Sequence, residues 1–168
     1  MTREAAEYVR ETGRGVSRLV CSPLQRTRES AEPFTEAFGL EPVVDERVIE
    51  PTNVFEGKRM FRALLNPWNW RHLRRPALPS WGEPYNEVIA RMNAWEAVDG
   101  GDVVIVSHQL PIWVTHLAAA GLPSRHDPRE RRCALSSVTS FEMVKNKWTE
   151  VGYVEPASLA GARDEGAV

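Results

Sequence analysis

The sequence predicts an α/β fold, a three-layer α/β/α sandwich around a largely parallel mixed sheet. Helical and extended segments alternate along the chain, the pattern of strand-helix-strand units. The run DVVIVS at 102–107 is apolar at consecutive positions, as in a parallel strand covered on both faces. With 168 residues, 42% of them hydrophobic and 26% charged, the chain can build one core but not two.

The elements follow in order. TREAAEYVRETG reads as a helix with Thr2 as N-cap, Ala5, Ala6 and Val9 on one side, and Gly13 as terminator. GVSRLVC is a short strand ending at Cys21. Ser22-Pro23 then opens the helix LQRTRESAEPFTEAFG, where Pro33 should kink or restart it. EPVVDERVIE has extended, β-branched character, and GKRMFRALLN reads as a helix ended by Asn66-Pro67. In PWNWRHLRRPALPSWGEP, prolines, tryptophans and arginines crowd together, the mark of a long irregular excursion. YNEVIARMNAWEAV is an amphipathic helix, Gly100-Gly101 a turn, DVVIVS a strand, and PIWVTHLAAAG a helix with Pro111 near its first turn. ALSSVTSFEMVKNKWTEVGYVE reads as two strands around a Lys145-Asn146-Lys147 turn, and residues 157–168 as a mobile tail.

Composition excludes several function classes. A net charge of −2 gives no global case for a nucleic-acid or membrane partner, although local arginine clusters remain open. The polar start is no signal peptide, and no apolar stretch reaches bilayer length. Cys21 and Cys133 form no C-x-x-C pair, which argues against zinc and a disulfide framework and suits a reducing cytoplasm. A cytoplasmic location is expected.

Three segments place polar groups just after strands, where open α/β sheets hold ligands. In VCSPLQRTRESA, Arg26 lies one turn into a helix whose amino terminus offers free N–H groups, a setting that suits phosphate or leaves Arg26 solvated with Ser22 as a cap. A cysteine-phosphatase loop needs C-x5-R. Here the spacing is C-x4-R, with Thr27 in the required place, so that chemistry fails. In ERVIEPTNVFEGK, Glu50 and Glu56 are both candidate proton donors, since a carboxylic acid beside a phosphate has a raised pKa. VIVSHQLPIW delivers His108 at the end of a strand, where an imidazole can hold a phosphoryl oxygen.

Taken together and in this order, the segments resemble the histidine phosphatase superfamily, the phosphoglycerate mutase-like branch. SPLQRTRESA is similar to its S-P-L-x-R-[AT]-x-x-[ST]-A motif and places the phosphate-binding arginine at Arg26. IEPTNVFEG resembles the segment with the acidic proton donor and places it at Glu50. VIVSHQLPIW is similar to the second-histidine motif, with Gln109 where glycine is usual, so that His108 and the Gln109 N–H would bind phosphate. CALSSVTSFE resembles the late strand. The resemblance implies a phosphoglycerate mutase-like fold over 1–156, a phosphohistidine mechanism on a small phosphorylated substrate, and neither metal nor cofactor.

The family's R-H-G, which supplies the nucleophilic histidine, is absent from these residues, and Arg71-His72 cannot replace it because Leu73 follows. The resemblance implies that the central first strand is missing, between the strands ending at Cys21 and Ser107. Two apolar strands would then lack a neighbour, and a homo-oligomer becomes possible. A phosphatase is expected ahead of a mutase. The alternative is a non-catalytic phosphate-ester-binding pseudoenzyme. His116 reads as a packed helix histidine. His126, among Arg125, Arg129, Arg131 and Arg132, belongs to a solvated loop or to a rim that attracts anionic substrates.

Overall fold

The computed structural model describes residues 1–51, 82–94, 101–145 and 147–157. Its elements are α1 (Thr2–Glu11), β1 (Val16–Cys21), α2 (Gln25–Phe38), β2 (Val43–Val44), α3 (Tyr85–Asn93), β3 (Asp102–Val106), α4 (Gln109–Ala119), β4 (Val138–Val144) and β5 (Lys147–Val154). Short 3-10 turns lie at Glu46–Val48 and Pro128–Glu130. The helix read at GKRMFRALLN, most of the irregular excursion after it and residues 158–168 lie outside the described residues.

The alternation of apolar residues builds three layers. β1 and β3 send Leu19, Cys21, Val104 and Val106 to one face, against Ala5 and Ala6 of α1 and Ala31 and Phe34 of α2. Val20, Val103 and Ile105 point to the other face, against Val48 and Met92. On that side α3 and α4 share a cluster of Tyr85, Val88, Leu110 and Val114. Leu19 and Val20 are 1% and 0% exposed, and each contributes about 1.5–3 kcal/mol by leaving water.

The sheet has the order β2-β1-β3, all parallel, and β4 and β5 form a separate antiparallel hairpin. The mixed sheet of the sequence reading is thus divided in two. β1 and β3 pair directly, from Val16 opposite Asp102 to Cys21 opposite Val106, with no strand between them among the described residues. Pairing them satisfies the backbone groups on the edges that face each other. β1, with partners on both edges, is the buried strand. β3 was expected to be covered on both faces, yet every residue in it is only half-buried. Among the described residues it has a partner on one edge only.

Local chemistry explains the element ends, with two departures from expectation. Met1, not Thr2, is the N-cap of α1, and no side chain caps it. Helix α2 runs unbroken through Pro33. An interior proline costs about 3 kcal/mol or more, but buried Ala31 and Phe34 anchor the helix on either side of it. Gly39 ends α2 with φ +67, a left-handed conformation that glycine adopts without steric cost. Gly101 is needed for another reason, since a Cβ there would lie 2.5 Å from the Ser17 Cβ, where the chain enters β3 against β1.

Candidate active site

The parallel register sets the site. Because Cys21 is level with Val106, the residues that leave the two strands, Ser22 and Ser107, emerge side by side. The Ser22 N–H still donates to the Val106 carbonyl at 3.1 Å. Each strand turns within three residues into a helix, α2 at Gln25 and α4 at Gln109. Two helix amino termini, each with first-turn N–H groups that have no helical acceptor, therefore face the same end of the sheet.

The turn after β1 is held by Thr27, whose hydroxyl donates to the Ser22 carbonyl at 3.0 Å and the Leu24 carbonyl at 2.7 Å. Arg26, the second residue of α2, remains exposed and reaches across to β3's end, where its Nη2 donates to His108 Nδ1 at 3.2 Å. His108 is the N-cap of α4 and is 8% exposed. Since Nδ1 accepts from Arg26, the ring proton is assigned to Nε2, which donates to the Ser22 Oγ at 2.8 Å. Burial, and then the Arg26 and Arg91 charges, push the His108 pKa down to about 4. The ring is neutral at pH 7, with the Arg26 and Arg91 guanidiniums as its positive neighbours.

Glu50 Oε2 lies 3.9 Å from His108 Nδ1. With the imidazole neutral, this contact is no ion pair at pH 7. The approach is set by a bracket around the preceding backbone. Arg91 on α3 donates to the Arg47 carbonyl and, at 2.7 Å, to the Ile49 carbonyl. Ser107 Oγ donates to the Val48 carbonyl between them at 2.8 Å. Glu83 grips the Arg91 guanidinium with both oxygens, at 2.8 and 2.9 Å, and so fixes its orientation. Three consecutive carbonyls are captured, and the next residue is Glu50.

The structure therefore brings Arg26, Glu50 and His108 together at the carboxyl ends of β1 and β3. Gln109 starts α4 beside them, but its side chain turns to the following loop: its amide donates to the Cys133 carbonyl at 3.3 Å and accepts from Arg131 at 3.3 Å. Glu56, the other candidate acid, lies outside the described residues. His116 packs as read, stacked on Trp113 with ring centroids 4.6 Å apart and bonded to Glu150.

Ser22, Arg91 and Ser107 escaped the sequence reading. The sequence offers Ser22 as a helix cap, but the N-cap of α2 is Leu24, and the Ser22 hydroxyl meets His108 instead. A lone arginine in an amphipathic helix carries no signal of which carbonyls it will hold. Among the described residues no group of side chains is arranged to hold a metal ion, and no helix is long and apolar enough to cross a membrane. Cys21 and Cys133 are free thiols, and burial raises the pKa of each.

A buried imidazole and an exposed guanidinium at paired helix amino termini, with a carboxyl group alongside, form a constellation suited to phosphoryl chemistry. Comparison with known proteins agrees with that class. The profile of the histidine phosphatase superfamily (branch 1) matches residues 1–156, and the chain belongs to that superfamily. The uncharacterized protein Rv0525 of Mycobacterium tuberculosis (strain ATCC 25618 / H37Rv) is 42% identical over 156 residues, 87% of this chain and 76% of that protein. The probable phosphoglycerate mutase GpmB of Klebsiella pneumoniae subsp. pneumoniae is 27% identical over 150 residues, 83% of this chain and 69% of that protein. Among solved structures, the mycobacterial glucosyl-3-phosphoglycerate phosphatase Rv2419c shares the fold, with a TM-score of 0.66 at 22% identity over 89% of this chain and 82% of that one.

Proposed function

We propose that this chain carries the phosphate-binding and leaving-group side of a phosphomonoester hydrolase site for a small phosphorylated substrate. The observation that supports it most is the meeting of Arg26, His108 and Glu50 beside two helix amino termini. Arg26 is a donor for the equatorial oxygens of a phosphoryl group, and the first-turn N–H of Gln109 adds a second. His108, once protonated, adds its Nδ1–H on the side of Arg26 while Nε2–H stays on Ser22. A dianion there stabilises the imidazolium form, so its arrival draws a proton onto His108. In hydrolysis a nucleophile attacks phosphorus and the ester P–O bond breaks. Glu50 gives its proton to the departing alkoxide, and water then releases phosphate.

The expected nucleophile is the histidine of an Arg-His-Gly, and the 168 residues contain no such triplet. A second reading is a phosphate-ester binder without turnover. A burst assay with p-nitrophenyl phosphate separates the two. Stoichiometric or catalytic release of nitrophenolate by the 168-residue chain supports hydrolysis. Tight phosphate binding with no release supports the binder. Absence of binding to either phosphate or vanadate refutes both.

A further inference from the structure

The loop between α4 and β4 carries several arginines, and they are not equivalent. Arg132 is committed, paired with Glu150 and lying over the Tyr153 ring at 4.4 Å. Arg125 and Arg129 are exposed. Arg131 is half-buried, and among the described residues it is held by neutral groups: its Nε donates to His126 Nε2 at 3.0 Å and its Nη1 to the Gln109 Oε1 at 3.3 Å. It also hydrogen-bonds the Tyr85 hydroxyl.

The His126 ring is built to accept that bond. Its Nδ1 is satisfied by the Ser124 carbonyl at 2.8 Å, which leaves the Nε2 lone pair for Arg131. Tyr85 and Trp113 flank the ring, with centroids 5.5 and 6.0 Å away. Burial above all lowers the His126 pKa and keeps the ring neutral. Asp127 and Glu130 lie in the same loop, yet among the described residues no carboxylate forms an ion pair with Arg131. Neutral acceptors orient the guanidinium without cancelling its charge.

Its position gives that charge a use. Gln109, which accepts from Arg131, follows His108 directly. The Gln109 amide also donates to the Cys133 carbonyl at 3.3 Å, so Arg131 is tied to the residue that starts α4 beside the imidazole.

We propose that Arg131 is a specificity residue that receives a second anionic group, carried by the leaving group of a phosphomonoester whose phosphate lies at Arg26 and His108. The inference rests on the phosphate-site reading above.

The test compares 4-carboxyphenyl phosphate with phenyl phosphate by isothermal titration calorimetry on the 168-residue chain. The carboxylated ester should bind about fivefold tighter, a modest gain because Arg131 is half-exposed to water. Arg131→Met should erase the preference while leaving phenyl phosphate affinity unchanged, and Arg131→Lys, which keeps the charge but loses the fork, should retain part of it. Circular dichroism confirms that each variant folds, and the wild-type comparison needs no variant at all. Equal affinity for the two esters in the wild type, or a preference that survives Arg131→Met, overturns the role of Arg131 alone. If phenyl phosphate does not bind, the phosphate-site reading falls and Arg131 falls with it.

Discussion

Helix α4 carries a histidine at each end, and the two have opposite neighbours. His108 at the amino end faces the guanidinium of Arg26 and the helix's own unpaired N–H groups, and it is held neutral. His116, in the last turn, is bonded to Glu150, which in turn pairs with Arg132. A carboxylate and a guanidinium already pair with one another beside His116. Around His108, Arg91 is already held by Glu83, but the exposed Arg26 makes no ion pair with a carboxylate among the described residues, and a phosphate would supply one. The same side chain is structural where its surroundings are neutralised and available for chemistry where they are not.

The largest effect that tests this contrast is on stability. The unfolded chain protonates His108 near the usual 6.5, whereas the folded chain does so at about 4. Between those values the unfolded state binds the extra proton, so stability falls as pH drops through that window and the contribution is flat below it. The total is about 3 kcal/mol. Urea denaturation from pH 7.5 to pH 4 should show this slope in the wild type and lose it in His108→Gln. An unchanged slope would mean that the ring is not held neutral by its setting.

Removing the Arg91 bracket comes next. Arg91→Met leaves Glu83 without its partner and two carbonyls unsatisfied, and should cost about 2–3 kcal/mol in a thermal or urea melt. Ser107→Ala, which frees only the Val48 carbonyl, should cost about 1 kcal/mol. A melt in which the two variants cost the same would mean that the bracket does not depend on the Arg91–Glu83 pair.

Arg26→Ala should weaken phosphate or vanadate binding at least about tenfold, or about 1.4 kcal/mol. Equal affinity in the variant would break the contrast at its centre. The smallest expected effect belongs to the other end of α4. His116→Ala should cost about 1 kcal/mol of stability through the lost stack on Trp113 and leave phosphate affinity unchanged. A loss of affinity there would show that the two ends are coupled.

What was legible in the sequence follows from what each residue depends on. The two strands themselves were legible as short apolar runs, VSRLVC and DVVIV, while the facing of Val104 and Leu19 to one layer and of Ile105 and Val20 to the other came from the structure. Arg26, Glu50 and His108 could be placed near one another because each follows a strand, and parallel strands end at one edge. The layout of β4 and β5 was legible too, from a polar turn between two extended runs, and Lys145 in that turn has φ +50. Contacts between distant side chains left no such trace. Arg91 reaches the 47–49 backbone over more than forty positions, and no local pattern marks that reach. Pro33 signalled a kink or a restart, and the helix does not restart, because packing on both sides of the proline outweighs the local penalty. The half-buried state of β3 also escaped, since composition reports what a strand tolerates and not how many neighbours it finds.

The β1–β3 ladder also has a consequence in time. Leu19 meets Val104 across it, a partner about 85 positions later in the chain. At synthesis rates of about 5–20 residues per second, β1 is made on the order of 4 to 17 s before the strand that completes it. During that interval α1 and α2 can close over one face of β1, because their contacts are local, but the other face and one edge wait. The Ser22–His108 hydrogen bond can form only when that wait ends, so the candidate site cannot exist while only β1 and its two helices have been made. A nascent chain stopped before residue 102 should bind no phosphate, however well its first two helices have folded.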